Sequence, residues 1–223
     1  REAQVLIEAA GAGPGRADIR DAHLVLRVLS QGRVEAPVPS VTLVQAIPKG
    51  QRMDWVVEKA TELGASAIVP AVTERVVGRW SGAEAKAKRE RWTRLAVSAA
   101  KQCGAPWIPT IDPIAAYVDA IRRCGGAELI LVGSLRSGAR LIRDVLRDRP
   151  GAAPRTVAVL IGPEGDFTPE ELDQACRAGA VEVSFGSQVL RTDTAALFAL
   201  SVVMSEFATT GMGRASGLAP ADR

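Results

Sequence analysis

The sequence predicts an α/β fold with a mostly parallel sheet covered on both faces, and three observations carry that prediction. From Val41 onward, short apolar runs alternate with amphipathic stretches of helical period. The apolar runs are continuous, as strands buried on both faces require. Two of them end in glycine-bearing loops that run directly into helices, Gly162-Pro163-Glu164-Gly165-Asp166-Phe167 and Gly186 to Ala196. In an open parallel sheet such loops form crevices that present backbone N–H and C=O groups to a small molecule.

The first stretch of chain reads differently. β-like runs at Gln4 to Ile7 and His23 to Leu29 are joined by Gly11-Ala12-Gly13-Pro14-Gly15, a turn, and closed by Pro37 and Pro39. Residues 1–40 therefore read as part of a small β-domain plus a stiff linker, and 41–223 as the α/β domain, with 210–223 expected to be a flexible tail. Within the α/β domain, strands are expected at Leu43 to Ile47, Ala67 to Val72, Leu129 to Val132, Val157 to Ile161 and Val181 to Phe185. Helices are expected near Met53 to Leu63, Ala83 to Gln102, Ile114 to Arg123, Ala139 to Arg147, Pro169 to Ala178 and Thr194 to Thr209. One helix start is sharply marked: Thr168, Pro169 and Glu171 supply an N-cap, a first-turn proline and a capping-box carboxylate.

Composition narrows the chemistry. Lys and Arg number 28 against 25 Asp and Glu, a small excess whose distribution matters more than its sum. The three cysteines, Cys103, Cys124 and Cys176, are scattered without metal-ligand spacing and read as reduced thiols. His23 is the only histidine and lies far from both glycine loops, which argues against zinc chemistry and a Ser/His/Asp triad. No apolar run approaches a bilayer span and no secretory signal is evident, so a cytoplasmic protein without a metal is expected.

Each motif has a functional and a plain reading. The Gly162 loop lets backbone approach a ligand, with Glu164 as an acceptor, or is an ordinary strand-to-helix turn. No Walker lysine follows it and Gly-x-Gly-x-x-Gly is absent, which disfavours nucleotide binding of those kinds. Arg191 suits a phosphate or a developing oxyanion, or pairs with Glu164 or Asp193, while Thr192 or Asp193 caps the following helix. The segment Lys49 to Gly64 reads mainly as an amphipathic surface helix closed by glycine. The stretch Arg75 to Lys101 is rich in Lys and Arg, with Trp80 and Trp92 interleaved. That is either an RNA-contacting face or a solvated one; Trp92 has core spacing, and Arg75, Arg79 and Trp80 are the candidates for RNA contact.

In order along the chain, Leu43 to Gly50, Met53-Asp54-Trp55 to Gly64, Thr73-Glu74-Arg75, Lys101 to Gly104, the Gly162 loop and Val189 to Ala195 together resemble the RsmE family of ribosomal RNA methyltransferases, of the SPOUT class. The resemblance spans Val41 to about Thr210. It implies a C-terminal trefoil knot, a homodimer, a PUA-like N-terminal β-domain that binds RNA, and methyl transfer from S-adenosylmethionine to uracil N3 in small-subunit (16S) rRNA. Gln4 to Pro39 resembles the latter part of that β-domain. Carried over by position, the cofactor residues would be Val132, Gly133, Ser134, Gly162, Pro163, Glu164, Gly165, Val189, Leu190, Arg191, Thr192, Thr194 and Ala195. Arg191 and Asp193 would serve catalysis. The family commonly has a second glycine at Asp166 and glutamates at Asp193 and Lys101, so this chain departs there. The other readings are a SPOUT methyltransferase for another RNA such as tRNA, and a non-catalytic RNA-binding protein with the same fold.

Overall fold

A computed structural model describes residues 2–6, 27–32, 37–76, 78 and 80–207. The chain divides into two units, Arg1–Ala36 and Pro37–Arg223. In the first, β1 (Glu2–Leu6) pairs antiparallel with β2 (Arg27–Gly32). These overlap the two expected β-runs; the intervening glycine turn and His23 lie outside the described residues, as do the expected tail and the last residues of the final helix.

The second unit holds β3 (Ser40–Ala46), α1 (Arg52–Glu62), β4 (Ala67–Val72), α2 (Gly82–Cys103), β5 (Thr110–Ile111), β6 (Ala115–Ala116), α3 (Tyr117–Arg123) and β7 (Leu129–Gly133), followed by β8 (Arg140–Leu141), α4 (Ile142–Arg147), β9 (Thr156–Ile161), α5 (Pro169–Arg177), β10 (Ala180–Ser184) and α6 (Thr192–Phe207). The sheet runs β5-β4-β3-β9-β7-β10-β8, with β6 also on β4, and every pairing is parallel. The five expected strands are present. The pieces β5, β6 and β8 are too short for a periodicity signal, and two of them displace helix starts: α3 begins at Tyr117 after β6, and α4 at Ile142 after β8, each three residues later than expected.

Strand alternation builds two cores from one sheet. Val41, Leu43, Leu131, Val157, Val159 and Ile161 face helices α1, α2, α4 and α6, whereas Val44, Ile130, Val132, Ala158 and Leu160 face α3, α5 and Phe167. Leu160 is fully buried. Leu160→Ala is expected to lower the unfolding free energy by about 2–5 kcal/mol, read from the denaturant midpoint at unchanged slope.

Helix ends follow the sequence signals. Thr168 Oγ1 accepts from Glu171 N and Glu171 Oε2 accepts from Thr168 N, the reciprocal box that the sequence predicts for α5. Ser81 and Glu84 form a second such box at α2, which ends at Gly104 with φ 71. Among the described residues no helix is long and apolar enough to cross a membrane.

Candidate active site

At the carboxyl ends of β7, β9 and β10, three loops enclose an open cleft of about 550 Å³. Gly133, Ser134 and Leu135 come from β7; Ile161 to Glu164 and Asp166 from β9; and Ser184, Phe185, Gly186, Gln188, Val189, Leu190, Thr192 and Ala195 from β10 and the start of α6. The position is dictated by the fold: parallel strands all end on one side, and the loops that leave adjacent strands for opposite faces open a crevice there.

At two of these positions a side chain would crowd its neighbours. A Cβ on Gly133 would lie 2.9 Å from the Phe185 ring, and one on Gly162 would lie 3.1 Å from the backbone nitrogen of Phe167. Asp166 instead carries the strain itself, at φ 62, the left-handed region that aspartate tolerates better than most residues. Its Oδ1 accepts from Phe167 N at 2.8 Å and its Oδ2 from Leu135 N at 3.3 Å, tying the β9 loop to the β7 loop. Asp166→Gly is expected to change stability by less than about 1 kcal/mol, because relief of the backbone offsets the lost bonds. Asp166→Ala keeps the strain and loses both bonds, and thermal unfolding should report a loss of about 2 kcal/mol.

Three more ties hold the β9 loop. Thr192 Oγ1 donates to the Gly162 carbonyl at 2.5 Å and accepts from the buried amide Nε2 of Gln45 at 2.9 Å, so one hydroxyl joins α6, the loop and the central strand β3. Glu164 Oε1 accepts from Lys49 N at 2.9 Å and from Arg52 at 3.3 Å. Arg75 donates from Nη1 to the Gly165 carbonyl, and the neighbouring Glu74 N donates to the buried Glu171. Electrostatically, the cleft carries the carboxylates of Glu164 and Asp166 against the apolar walls Leu135, Ile161, Val189 and Leu190.

Residues 34–204 match a family model described as an RNA methyltransferase domain. The ribosomal RNA small subunit methyltransferase E of Mycobacterium tuberculosis is 35% identical over 209 residues, covering 91% of this chain and 74% of that protein. The Bacillus subtilis protein of the same name is 31% identical over 182 residues, 81% of this chain and 70% of its own length. This chain belongs to the ribosomal RNA small subunit methyltransferase E family. Two solved structures agree. The Neisseria gonorrhoeae methyltransferase E bound to S-adenosyl methionine is 31% identical, with a TM-score of 0.66 over 77% of this chain and 68% of that one. A Legionella pneumophila protein in complex with bound SAM is 33% identical, with a TM-score of 0.72 over 81% and 72%.

In this member of the methyltransferase E family, Gly133, Ser134, Gly162, Pro163, Glu164, Val189, Leu190, Thr192 and Ala195 all border the cleft, whereas Val132, Gly165, Arg191 and Thr194 do not. The Val132 side chain is fully buried among the α3- and α5-facing residues, so strand alternation turns it away. The Gly165 carbonyl is engaged by Arg75. Arg191 is exposed next to the cleft and makes no ion pair among the described residues, so the plain reading of a pair with Glu164 or Asp193 is not realised. Asp193 is half-buried and accepts from Thr194 N at 3.0 Å.

Of the basic candidates, Arg75 directs its guanidinium at the β9 loop, Arg79 lies outside the described residues, and Trp80 is half-buried with Lys88 Nζ 5.6 Å from its ring centre. Seven residues that border the cleft, Leu135, Ile161, Asp166, Ser184, Phe185, Gly186 and Gln188, were not among the predicted site residues. Leu135 directly follows Ser134 and Asp166 follows Gly165, so extending each loop by one residue would have found both.

Proposed function

We propose that this protein methylates N3 of a uracil in small-subunit (16S) ribosomal RNA, in the cytoplasm, with S-adenosylmethionine as methyl donor. The observation that carries the reading is the three-loop cleft at the ends of β7, β9 and β10, in a chain of this family. The cleft's residues fit the donor chemically. Apolar walls suit a purine ring, and Gly133 and Gly162 keep the backbone free of side chains. When bound, the cofactor supplies an electrophilic methyl group.

The protein's own residues handle position and charge. Uracil N3 bears an imide proton that must leave as the nitrogen becomes nucleophilic, so an anion develops and a nearby cation stabilises it. Arg191 is that cation: it has no ion pair among the described residues and stands beside the cleft wall formed by Leu190 and Thr192. Asp193, bonded to Thr194 N, orients the turn from which Arg191 projects. The proton passes to water or a carboxylate, there being no histidine in the α/β unit.

Three structural features accompany the reading. A trefoil knot is favoured by α6, which leaves β10 on one flank of β7 and packs on β3 and β9 beyond the other flank, on the face that also carries α4. A homodimer is favoured by exposed apolar Leu135, Val189 and Phe198. The β1–β2 pair, antiparallel as in a small β-domain, is read as part of a PUA-like RNA-binding domain.

Labelled methyl transfer to undermethylated small subunits, naked rRNA and tRNA tests the function. Label in small-subunit RNA that maps to a uracil N3 is expected. Label in tRNA alone, or none with cofactor bound, would replace this reading with another RNA substrate or a non-catalytic RNA binder.

A further inference from the structure

A second cleft, of about 860 Å³, lies between the β3–α1 loop and the start of α2. Its walls include Lys49, Gly50, Trp80, Lys88, Arg91 and Trp92. Asp54 is the one carboxylate in its lining, and that group is consumed: its oxygens accept from Arg91 and, at 3.0 Å, from Trp92 Nε1. Trp92 is thereby fixed as core wall, 2% exposed. Arg91 is neutralised, which leaves Lys49 and Lys88 as the net charge of the cleft. The Lys88 ammonium lies 5.6 Å from the Trp80 ring centre and 6.0 Å from that of Trp92, held by aromatic faces and by no carboxylate among the described residues.

We propose that this cleft binds single-stranded RNA beside the nucleotide being methylated, with Lys49 and Lys88 taking backbone phosphates and Trp80 offering its half-exposed indole to a base. The proposal rests on the methyl-transfer reading for its choice of polyanion. Net positive charge with an aromatic wall is the composition that recognises single strands. The decisive feature is continuity with the cofactor cleft. Lys49 donates its backbone N–H to Glu164, a residue of that other cleft, and itself lines this one. A strand running through both would bring a base to the Gly162 loop while its neighbour lay over Lys49.

The test uses the full chain. Lys49→Ala keeps the backbone bond to Glu164, so the Lys49→Ala/Lys88→Ala double variant is expected to raise KM for the rRNA substrate at least tenfold. kcat and the cofactor Kd should stay within about twofold. The slope of log KM against log salt should fall by about 0.7 for each phosphate that the variant no longer neutralises. Trp80→Leu is expected to weaken RNA binding about tenfold and Trp80→Phe much less, since a ring retains stacking; thermal unfolding identifies any variant that fails to fold. Arg122→Ala, on α3 at the opposite face of the sheet, serves as the control with unchanged KM.

Anisotropy with a labelled single-stranded oligouridylate, without cofactor, separates this proposal from the functional reading. If the wild type methylates small-subunit RNA but the double variant keeps its KM and salt slope, the cleft assignment is overturned and the function stands. If methylation fails yet the oligonucleotide binds in a Lys49- and Lys88-dependent way, the reverse holds. Competition by oligoglutamate as effective as by RNA would also overturn the nucleotide assignment.

Discussion

Arg191→Ala is expected to slow single-turnover methyl transfer by about 100- to 1,000-fold, the usual cost of removing one preorganised group that stabilises developing charge. Cofactor affinity should change by no more than about threefold, because Arg191 lies outside the three-loop cleft proposed for the cofactor while Leu190 and Thr192 border it. The pH dependence separates two roles for the guanidinium. If it stabilises the uracil anion, the defect shrinks as pH rises and N3 ionises without help; if it holds a flanking phosphate, the defect appears in KM and is independent of pH. Arg191→Lys should be intermediate, since charge is kept but the planar fork is lost. A variant with near-normal turnover at neutral pH would remove Arg191 from the mechanism.

What the sequence made legible was local. The Thr168-Pro169-Glu171 start of α5 is written within four residues, and the structure forms that capping box. Gly162 was likewise readable as a backbone position, whereas Gly133 came only from the family resemblance, because its reason, the Phe185 ring, sits 52 residues away. Strand order was not legible: nothing near Thr156 says that β9 inserts between β3 and β7, because parallel order is fixed by long-range packing.

Arg75 shows the limit of reading charge from a run of residues. Clustering places it with Arg79 and Trp80 as a candidate for RNA, but its guanidinium donates to the Gly165 carbonyl across 90 residues of sequence. Glu164 meets a similar fate in the opposite sense, since its partners Lys49 and Arg52 lie more than 110 residues earlier. Both interactions tie down the loop that borders the three-loop cleft. Such ties are invisible to any local window, and they turn charged residues from surface features into supports of the site.

The largest effect of that kind is expected at Thr192. Thr192→Val preserves shape but leaves the Gly162 carbonyl and one Gln45 donor site without their partner in a buried place, a loss of about 2–3 kcal/mol in unfolding free energy. The β9 loop also loses its anchor to α6, so cofactor Kd measured by calorimetry should rise at least tenfold. Thr192→Ser, which keeps the hydroxyl, should show little of either effect. The Gln45→Met/Thr192→Val double variant distinguishes the two consequences. Removing both polar partners deletes the stranded Gln45 amide, including its Oε1, which has no partner among the described residues, and much of the stability returns. The Gly162 carbonyl remains untied in the double variant, so cofactor affinity stays low. Stability and affinity that recovered together would mean that the hydroxyl serves only the core, whereas recovery of stability alone identifies Thr192 as the residue that holds the cofactor loop in its binding shape.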